Sequence, residues 1–145
     1  MNVTITSYSD MYGGAARAAY RLHQALNHVG VSSGMLVRQK ASDDWLVEGP
    51  VGKTAKALAI SRPLAGNMIA RLQKSENANL HTGNWIPSFW SRKLNSSDAD
   101  VVNLHWVAGE TMSITDIGRI EKPVVWTLHD MWAFSGSEHY SPDGP

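Results

Sequence analysis

The feature that most constrains the fold is a change of hydrophobic period near the N-terminus. Val3 and Ile5 alternate with polar residues, which predicts a strand. The apolar residues then recur at helical spacing and share one face of a helix: Ala15, Ala18, Ala19, Leu22, Ala25, Leu26 and Val29. Gly30 stands where a left-handed C-terminal cap belongs. The stretch SSGMLVR then predicts a second strand. The chain therefore opens with a β-α-β unit, which is the start of a parallel sheet.

The alternation of predicted strands and helices continues towards the C-terminus. ADVVNLHWV and KPVVWTLHD predict two further strands, and DDWLVEG a short one. Between the two long ones, SITDIGRI has isoleucines at helical spacing, with Ser113 as its N-cap. The predicted fold class is α/β, a Rossmann-like and mostly parallel sheet with helices on both faces.

The middle of the chain carries a weaker pattern. Residues 52–74 have helical composition, but Pro63 predicts a break near Arg62 and hence two helices. The segment from Lys53 to Lys74 is basic and contains no acid, so it predicts the one locally basic surface. Residues 75–97 are rich in Asn, Ser and Gly and predict mostly loop.

Composition limits the class of protein. The 145 residues suit a single domain, 1–145, and the zero formal net charge provides no general attraction for nucleic acid. With no cysteine, disulfides, thiolate zinc sites and cysteine nucleophiles are excluded. No signal peptide is recognisable, and no apolar run reaches the roughly 18 residues of a membrane span. We expect a soluble chain, or one that contacts a membrane only from its surface.

Ligands of open parallel sheets bind beyond the carboxyl ends of the strands. After the first strand, Gly13 and Gly14 open a helix whose free N–H groups favour an anion, and Arg17 adds charge one turn later. The alternative is that the glycine pair only makes a tight turn. A dinucleotide site would need Gly-x-Gly-x-x-Gly here and an acid after the second strand, and the sequence has neither.

Two other motifs are incomplete. Gly52-Lys53-Thr54 matches the end of a Walker A loop, but Val47 stands where its first glycine belongs. We interpret the match as accidental and Lys53 as a solvated residue of a helix first turn. The Gly-x-Ser-x-Gly elbow of serine hydrolases is absent.

Histidines end two of the predicted strands, and tryptophans follow them closely. His105 and His129 would each present an imidazole at the carboxyl edge of the sheet, and two such residues ending neighbouring strands predict a site. Histidines with a purely structural role are the alternative. Trp106 and Trp132 suit stacking on a sugar, although core packing is the alternative. A zinc site built from these histidines with Asp130 and His139 is disfavoured, because no short His-x-x-x-His spacing supports it.

Three stretches together resemble the N-terminal domain of family 4 glycosyltransferases, especially those of bacterial exopolysaccharide and capsule assembly such as the colanic acid glycosyltransferases. These stretches are GGAARAAYRLHQAL, DVVNLHWV and IEKPVVWTLHDMWAFSGSEHY. The resemblance implies the acceptor-side half of a two-domain GT-B enzyme. Such enzymes transfer a sugar from a nucleotide-sugar, their co-substrate, with retention at the anomeric carbon and without a metal or other cofactor.

The resemblance also implies roles for individual residues. The catalytic position is His129, near the donor sugar. The donor diphosphate would meet Gly13 and Gly14, with Arg17 beside them. The acceptor or sugar side would be lined by His105, Trp106, Asp130 and Trp132.

The expected donor-binding domain is not part of residues 1–145, so we expect no transferase activity from this chain alone. The implied location is cytoplasmic, peripheral at the inner face of the membrane, with a glycan or lipid-linked acceptor. The basic segment would then contact anionic lipid, and a solvated helix face is the alternative. The competing function is a non-catalytic α/β module that binds a glycan or a partner.

Overall fold

The computed structural model describes residues 1–72, 82–135 and 138–140. Within them the chain forms strands and helices that alternate from the N-terminus. In chain order the elements are β1 (Asn2–Ser9), α1 (Gly14–His28), β2 (Ser32–Gln39), β3 (Val47–Glu48), α2 (Lys53–Leu72), α3 (Trp90–Ser96), β4 (Val101–Leu104), α4 (Ile114–Gly118) and β5 (Val124–Trp126).

The described strands form one parallel sheet in the order β3-β2-β1-β4-β5. The chain starts in the middle of the sheet, builds outwards through β2 and β3, and returns to the other side of β1 with β4. This arrangement confirms the predicted α/β Rossmann-like fold. The reversal of strand order puts a topological switch point between β1 and β4, where ligands of such sheets bind.

The two faces of the sheet have separate cores. On the α1 face, Val3, Ile5, Met35 and Val37 are buried with Ala19 of the helix. The opposite core lies under α3 and α4, and its buried members include Leu36, Trp90, Leu94, Val102, Leu104, Met112 and Trp132. Adjacent residues of β2 therefore point to different cores, as the pleat requires. Helices cover both faces, as predicted.

The predicted break at Pro63 is wrong, because α2 runs without interruption from Lys53 to Leu72. Proline removes one hydrogen bond of the helix, and contacts of the neighbouring turn hold it in place. The Arg62 guanidinium donates to the carbonyl oxygens of Ile86, Pro87 and Glu110 at 2.6, 3.0 and 2.9 Å. These bonds tie the middle of α2 to the body of the protein.

The loop predicted for residues 75–97 is partly wrong. Trp90–Ser96 is a helix, α3, whose Trp90 and Leu94 are buried in the core. Its entry is fixed by Asp116, which accepts hydrogen bonds from the backbone N–H and hydroxyl of Ser88 at 2.6 and 2.9 Å. Only two apolar residues mark this short helix, which is too few for a period to be recognised. Residues 73–81 of the predicted segments, including Lys74, lie outside the described residues.

Gly66 lies where α2 packs most closely on the body. A Cβ at Gly66 would stand 2.5 Å from Cγ of the buried Glu110. Glu110 has little freedom to move, because its Oε2 accepts a hydrogen bond from the Ile86 N–H at 2.8 Å. We expect Gly66→Ala to lower the free energy of unfolding by about 1–3 kcal/mol, as overpacking does, although alanine favours helices.

Urea unfolding followed by tryptophan fluorescence would measure this change. The control is Gly118→Ala in α4, where no heavy atom lies within 4 Å of the added Cβ. It should stay within about 0.5 kcal/mol of the parent or exceed it. A Gly66→Ala protein as stable as the parent would contradict the prediction.

None of the helices in the described part of the chain is both long and apolar enough to cross a membrane.

Candidate functional site

The loops that follow β1, β4 and β5 meet at the carboxyl edge of the sheet. The Tyr8 N–H donates to the Trp106 carbonyl oxygen at 2.9 Å, and the two rings meet edge to face with centroids 5.8 Å apart. The indole N–H of Trp106 in turn donates to Oδ2 of Asp130 at 2.8 Å. The end of β1 and the segments around Trp106 and Asp130, two of those that carry the resemblance, therefore lie together at this edge.

The glycine loop after β1 is exposed at the N-terminus of α1. Gly13 is the N-cap with φ of 93°, in the left-handed region that favours glycine, and no side chain caps the helix. No heavy atom lies within 4 Å of a Cβ built on Gly13 or Gly14. Arg17, one turn into the helix, is exposed. The first N–H groups of α1 are thus open to an anion from solvent.

Asp10 fixes the position of this glycine loop. Its Oδ1 accepts from the Ala41 N–H at 2.9 Å, and its Oδ2 accepts from the N–H and hydroxyl of Ser42 at 2.9 and 2.6 Å. Burial acts to raise the pKa of Asp10, but the bonds from Ser42 and Ala41 outweigh it and leave the pKa lowered. The loops after β1 and β2 are therefore held together by a charged carboxylate.

His105 and His129, which the sequence predicts at the carboxyl edge of the sheet, lie in contact with each other. Nδ1 of His105 is 2.9 Å from Nε2 of His129, and the ring centroids are 5.1 Å apart. His105 is buried, and its Nε2 has no hydrogen-bond partner among the described residues. An unpaired N–H costs more in a protein interior than an unpaired lone pair, so we assign the proton of His105 to Nδ1.

This assignment fixes the chemistry of the pair. The Nδ1–H of His105 donates to Nε2 of His129, so the proton of His129 is on Nδ1. His129 is exposed, and its Nδ1 has no partner in the described part of the chain. Burial, helped by the neighbouring His129, lowers the pKa of His105 to about 4. Partial burial also lowers the pKa of His129, although Asp130 opposes the shift. The pair is neutral near pH 7 and presents one free N–H donor.

Asp130 is the centre of a second group, which we call the Asp130 cluster: Trp106, Asp130, Trp132, His139 and Thr82. Oδ2 of Asp130 accepts from Nδ1 of His139 at 2.5 Å as well as from Trp106, and Oδ1 accepts from the Trp132 N–H at 3.1 Å. Thr82 hydrogen-bonds His139 Nε2 at 2.9 Å and accepts the Trp132 indole N–H on its carbonyl at 2.7 Å.

The Asp130 cluster is satisfied internally and closely packed. Trp132 and His139 are buried and their rings stack with centroids 6.4 Å apart. The cavity between the histidine pair and the cluster has only about 10 Å³ of free volume. Trp106, Asp130 and Trp132, which the resemblance assigns to an acceptor, thus make their polar bonds within the cluster. Of the described residues that the sequence predicts for a site, His129 with its N–H and the exposed glycine loop remain open to a ligand.

A large cavity lies elsewhere, beyond β2 and β3. It has a volume of about 900 Å³, and its lining includes Tyr12, Lys40, Trp45, Lys56 and Ile60. Trp45 is almost fully exposed there. Sequence reasoning missed this cavity, and the only signal for it was a tryptophan placed between two acids and a short strand.

In the described residues no group of three or more His, Asp or Glu side chains is placed to hold a metal ion. Thr82 was not predicted to take part in any site, and no pattern around it in the sequence points to its contacts. The chain matches no family model, no curated protein and no solved structure.

Proposed function

We propose that residues 1–145 form the acceptor-side domain of a retaining GT-B glycosyltransferase of polysaccharide biosynthesis. The enzyme would transfer a sugar from a nucleotide-sugar to a glycan or lipid-linked acceptor in the cytoplasm, at the inner face of the membrane. The observation that carries the proposal is the hydrogen bond from Trp106 to Asp130, which joins two of the resembling segments at the switch point of the sheet, next to the strand that leads into the glycine loop.

The proposed chemistry divides between two sets of groups. The helix N–H groups at Gly13 and Gly14, with Arg17, suit the donor diphosphate, because the N-terminal end of a helix attracts anions. His129 acts as the catalytic residue by donating its free Nδ1–H to a sugar hydroxyl or to the charge that forms on the departing oxygen. His105 positions it by holding the tautomer.

The other proposed residues support this arrangement. Asp130 orients Trp106, Trp132 and His139, so we assign these side chains to shaping the acceptor side rather than to hydrogen-bonding the acceptor directly. The nucleotide itself would be bound by a second domain. We therefore expect no nucleotide-sugar turnover by residues 1–145 alone.

Inorganic pyrophosphate tests the donor side. In an amide NMR titration at low salt, the signals of Gly13 and Gly14 should shift. Arg17→Gln should weaken the affinity about three- to tenfold, because Arg17 is exposed and its charge is screened by solvent. Arg21→Gln, an exposed arginine one turn further along α1, is the matched control and should leave the affinity unchanged.

Two results would contradict this assignment. One is the absence of shifts at both glycines at millimolar pyrophosphate, and the other is an equal loss of affinity in Arg17→Gln and Arg21→Gln. The NMR spectra of the variants would also show that each remains folded.

The large cavity favours a second candidate, a non-catalytic module that binds a glycan. Its exposed Trp45 and Tyr12 suit stacking on a sugar face, and His129 is not among its lining residues. For such a module, neutral oligosaccharides should shift the signals of Trp45 and Tyr12, while pyrophosphate should leave Gly13 and Gly14 unaffected.

A further inference from the structure

The helix α2 has its large apolar side chains on the outside. Ile60, Leu64 and Met68 follow at intervals of four residues and are 57%, 62% and 70% exposed, and Leu72 extends the row at 83%. We call these four residues the outer stripe. An amphipathic helix of a globular protein normally turns such a stripe towards the core. In α2 this pattern is inverted.

The inner face of α2 explains why the outer stripe cannot turn inwards. The buried residues of this helix are Ala59 and Gly66, and Gly66 packs directly against Glu110. Arg62 also faces inwards and donates to three backbone carbonyls. The contact with the body is thus made by small residues and one arginine, so the outer stripe has no place to pack within the described part of the chain.

The charges of α2 indicate what covers the outer stripe. Lys53, Lys56 and Arg71 are exposed, and the helix contains no acidic residue. None of these three cations has an ion-pair partner among the described residues. In a two-fold dimer through this face, the outer stripes of the two copies would meet, but the cations of one copy would also face those of the other and repel them. An anionic surface instead matches both properties of the helix.

We propose that α2 is a docking helix that lies flat on an anionic lipid surface, with the outer stripe in the headgroup region and Lys53, Lys56 and Arg71 against lipid phosphates. Interfacial helices bind in this way, through buried apolar area together with attraction between cations and anionic lipid. The helix is about 30 Å long and lies on the membrane without spanning it. This docking does not depend on the proposed transferase function.

The position of the large cavity gives the docking a consequence. Lys56 and Ile60 line the cavity and also belong to the lipid-facing side of α2. Docking would therefore place the cavity, whose lining also includes Trp45 and Lys40, beside the headgroup layer. A lipid-linked substrate would reach it without leaving the bilayer.

Co-sedimentation with lipid vesicles tests the docking. The parent protein should sediment with phosphatidylglycerol–phosphatidylcholine vesicles, should bind pure phosphatidylcholine much more weakly, and should be released by salt. Replacing the three cations together, in Lys53→Gln, Lys56→Gln and Arg71→Gln, should weaken binding about 100-fold. Ile60→Gln, Leu64→Gln and Met68→Gln together should weaken it at least tenfold.

The matched control is the double variant Arg21→Gln and Val29→Gln, which removes one exposed cation and one exposed apolar residue from α1. It should bind the vesicles as the parent does, and circular dichroism should show that every variant is folded. The proposal is overturned if the parent does not sediment with anionic vesicles. It is also overturned if the cation variant and the apolar variant of α2 both sediment as the control does. It is also overturned if sedimentation velocity shows a dimer that the apolar variant abolishes and vesicles do not bind.

Discussion

Replacing Asp130 by alanine should lower the free energy of unfolding by about 2–5 kcal/mol, a large part of the total stability of a domain of this size. The carboxylate accepts from Trp106, His139 and the Trp132 backbone. Without it, a buried imidazole N–H, a half-buried indole N–H and a backbone N–H lose their acceptor together. Each buried donor left unpaired costs about 1–3 kcal/mol, and the packed surroundings leave little room for water.

Two other aspartate variants, Asp43→Ala and Asp130→Asn, separate the loss of these hydrogen bonds from the loss of a carboxylate in general. Asp43→Ala removes an exposed carboxylate that makes no hydrogen bond in the described residues, so it should change stability by less than about 0.5 kcal/mol. Asp130→Asn should fall between the two, because the amide oxygen can keep the bonds made at one carboxylate oxygen but not those at the other. Urea unfolding gives the stabilities, and near-ultraviolet circular dichroism reports the tryptophan environment. Equal losses in Asp130→Ala and Asp43→Ala would refute the role of the cluster.

The contrast between Asp130 and the strands shows what the sequence could predict. Strands β1 and β2 and the helix between them were predicted because their side chains repeat with periods that belong to a strand or a helix. The placement of His105 and His129 at one edge of the sheet was predicted because parallel strands end at the same edge, and the structure adds that the two rings are in contact. Thr82 and His139 join Asp130 from loops, where no period relates the residues, so the Asp130 cluster was not predictable.

Polar residues inside helices were a second source of error. The apolar spacing of α1 predicted that Ala18 and Ala25 face the core, yet both are exposed and His23 is buried instead. His23 is accommodated because its two ring nitrogens meet the Ser33 hydroxyl at 3.1 Å and the Asp44 carboxylate at 3.4 Å. Partners from β2 and the loop beyond it make this burial possible, and they are not visible in the helix sequence.

The outer stripe of α2 is the opposite case. Apolar residues at helical spacing normally indicate a buried face, and in α2 the same spacing marks the exposed one. Gly66 and Arg62 decide which face of α2 is exposed, because their contacts with Glu110 fix the side of the helix that packs against the body. These are tertiary contacts, so only the structure shows which way α2 faces.

The buried histidine pair predicts a dependence of stability on pH. His105 has its pKa lowered to about 4 in the folded protein, against about 6.5 in an unfolded chain. Below pH 6.5 the unfolded chain therefore binds a proton that folded His105 does not take up until about pH 4. The stabilisation is complete above pH 6.5 and is lost progressively as the pH falls towards 4, by about 3 kcal/mol in all. His129, whose pKa is also lowered, adds to the loss in the same direction.

Carboxylates act in a separate range of pH. Burial opposes the ionisation of Asp10, Asp44 and Asp116, but hydrogen bonds from their neighbours outweigh it and hold each pKa below the ordinary value. Their contribution is present above about pH 4 and is lost below it. A loss of stability between pH 6.5 and 4 therefore reports on the histidines, and a further loss at lower pH reports on the aspartates.

Urea unfolding at closely spaced pH values between 7.5 and 4, in steps of about half a unit, would resolve the histidine effect, since about 3 kcal/mol is easily measured. His105→Asn keeps a donor near the position of Nδ1 but does not titrate in this range, so its stability should change much less between pH 6.5 and 4. If His105→Asn keeps the slope of the parent, His105 does not titrate as its burial requires, and the neutral tautomer that we assign to the pair loses its support.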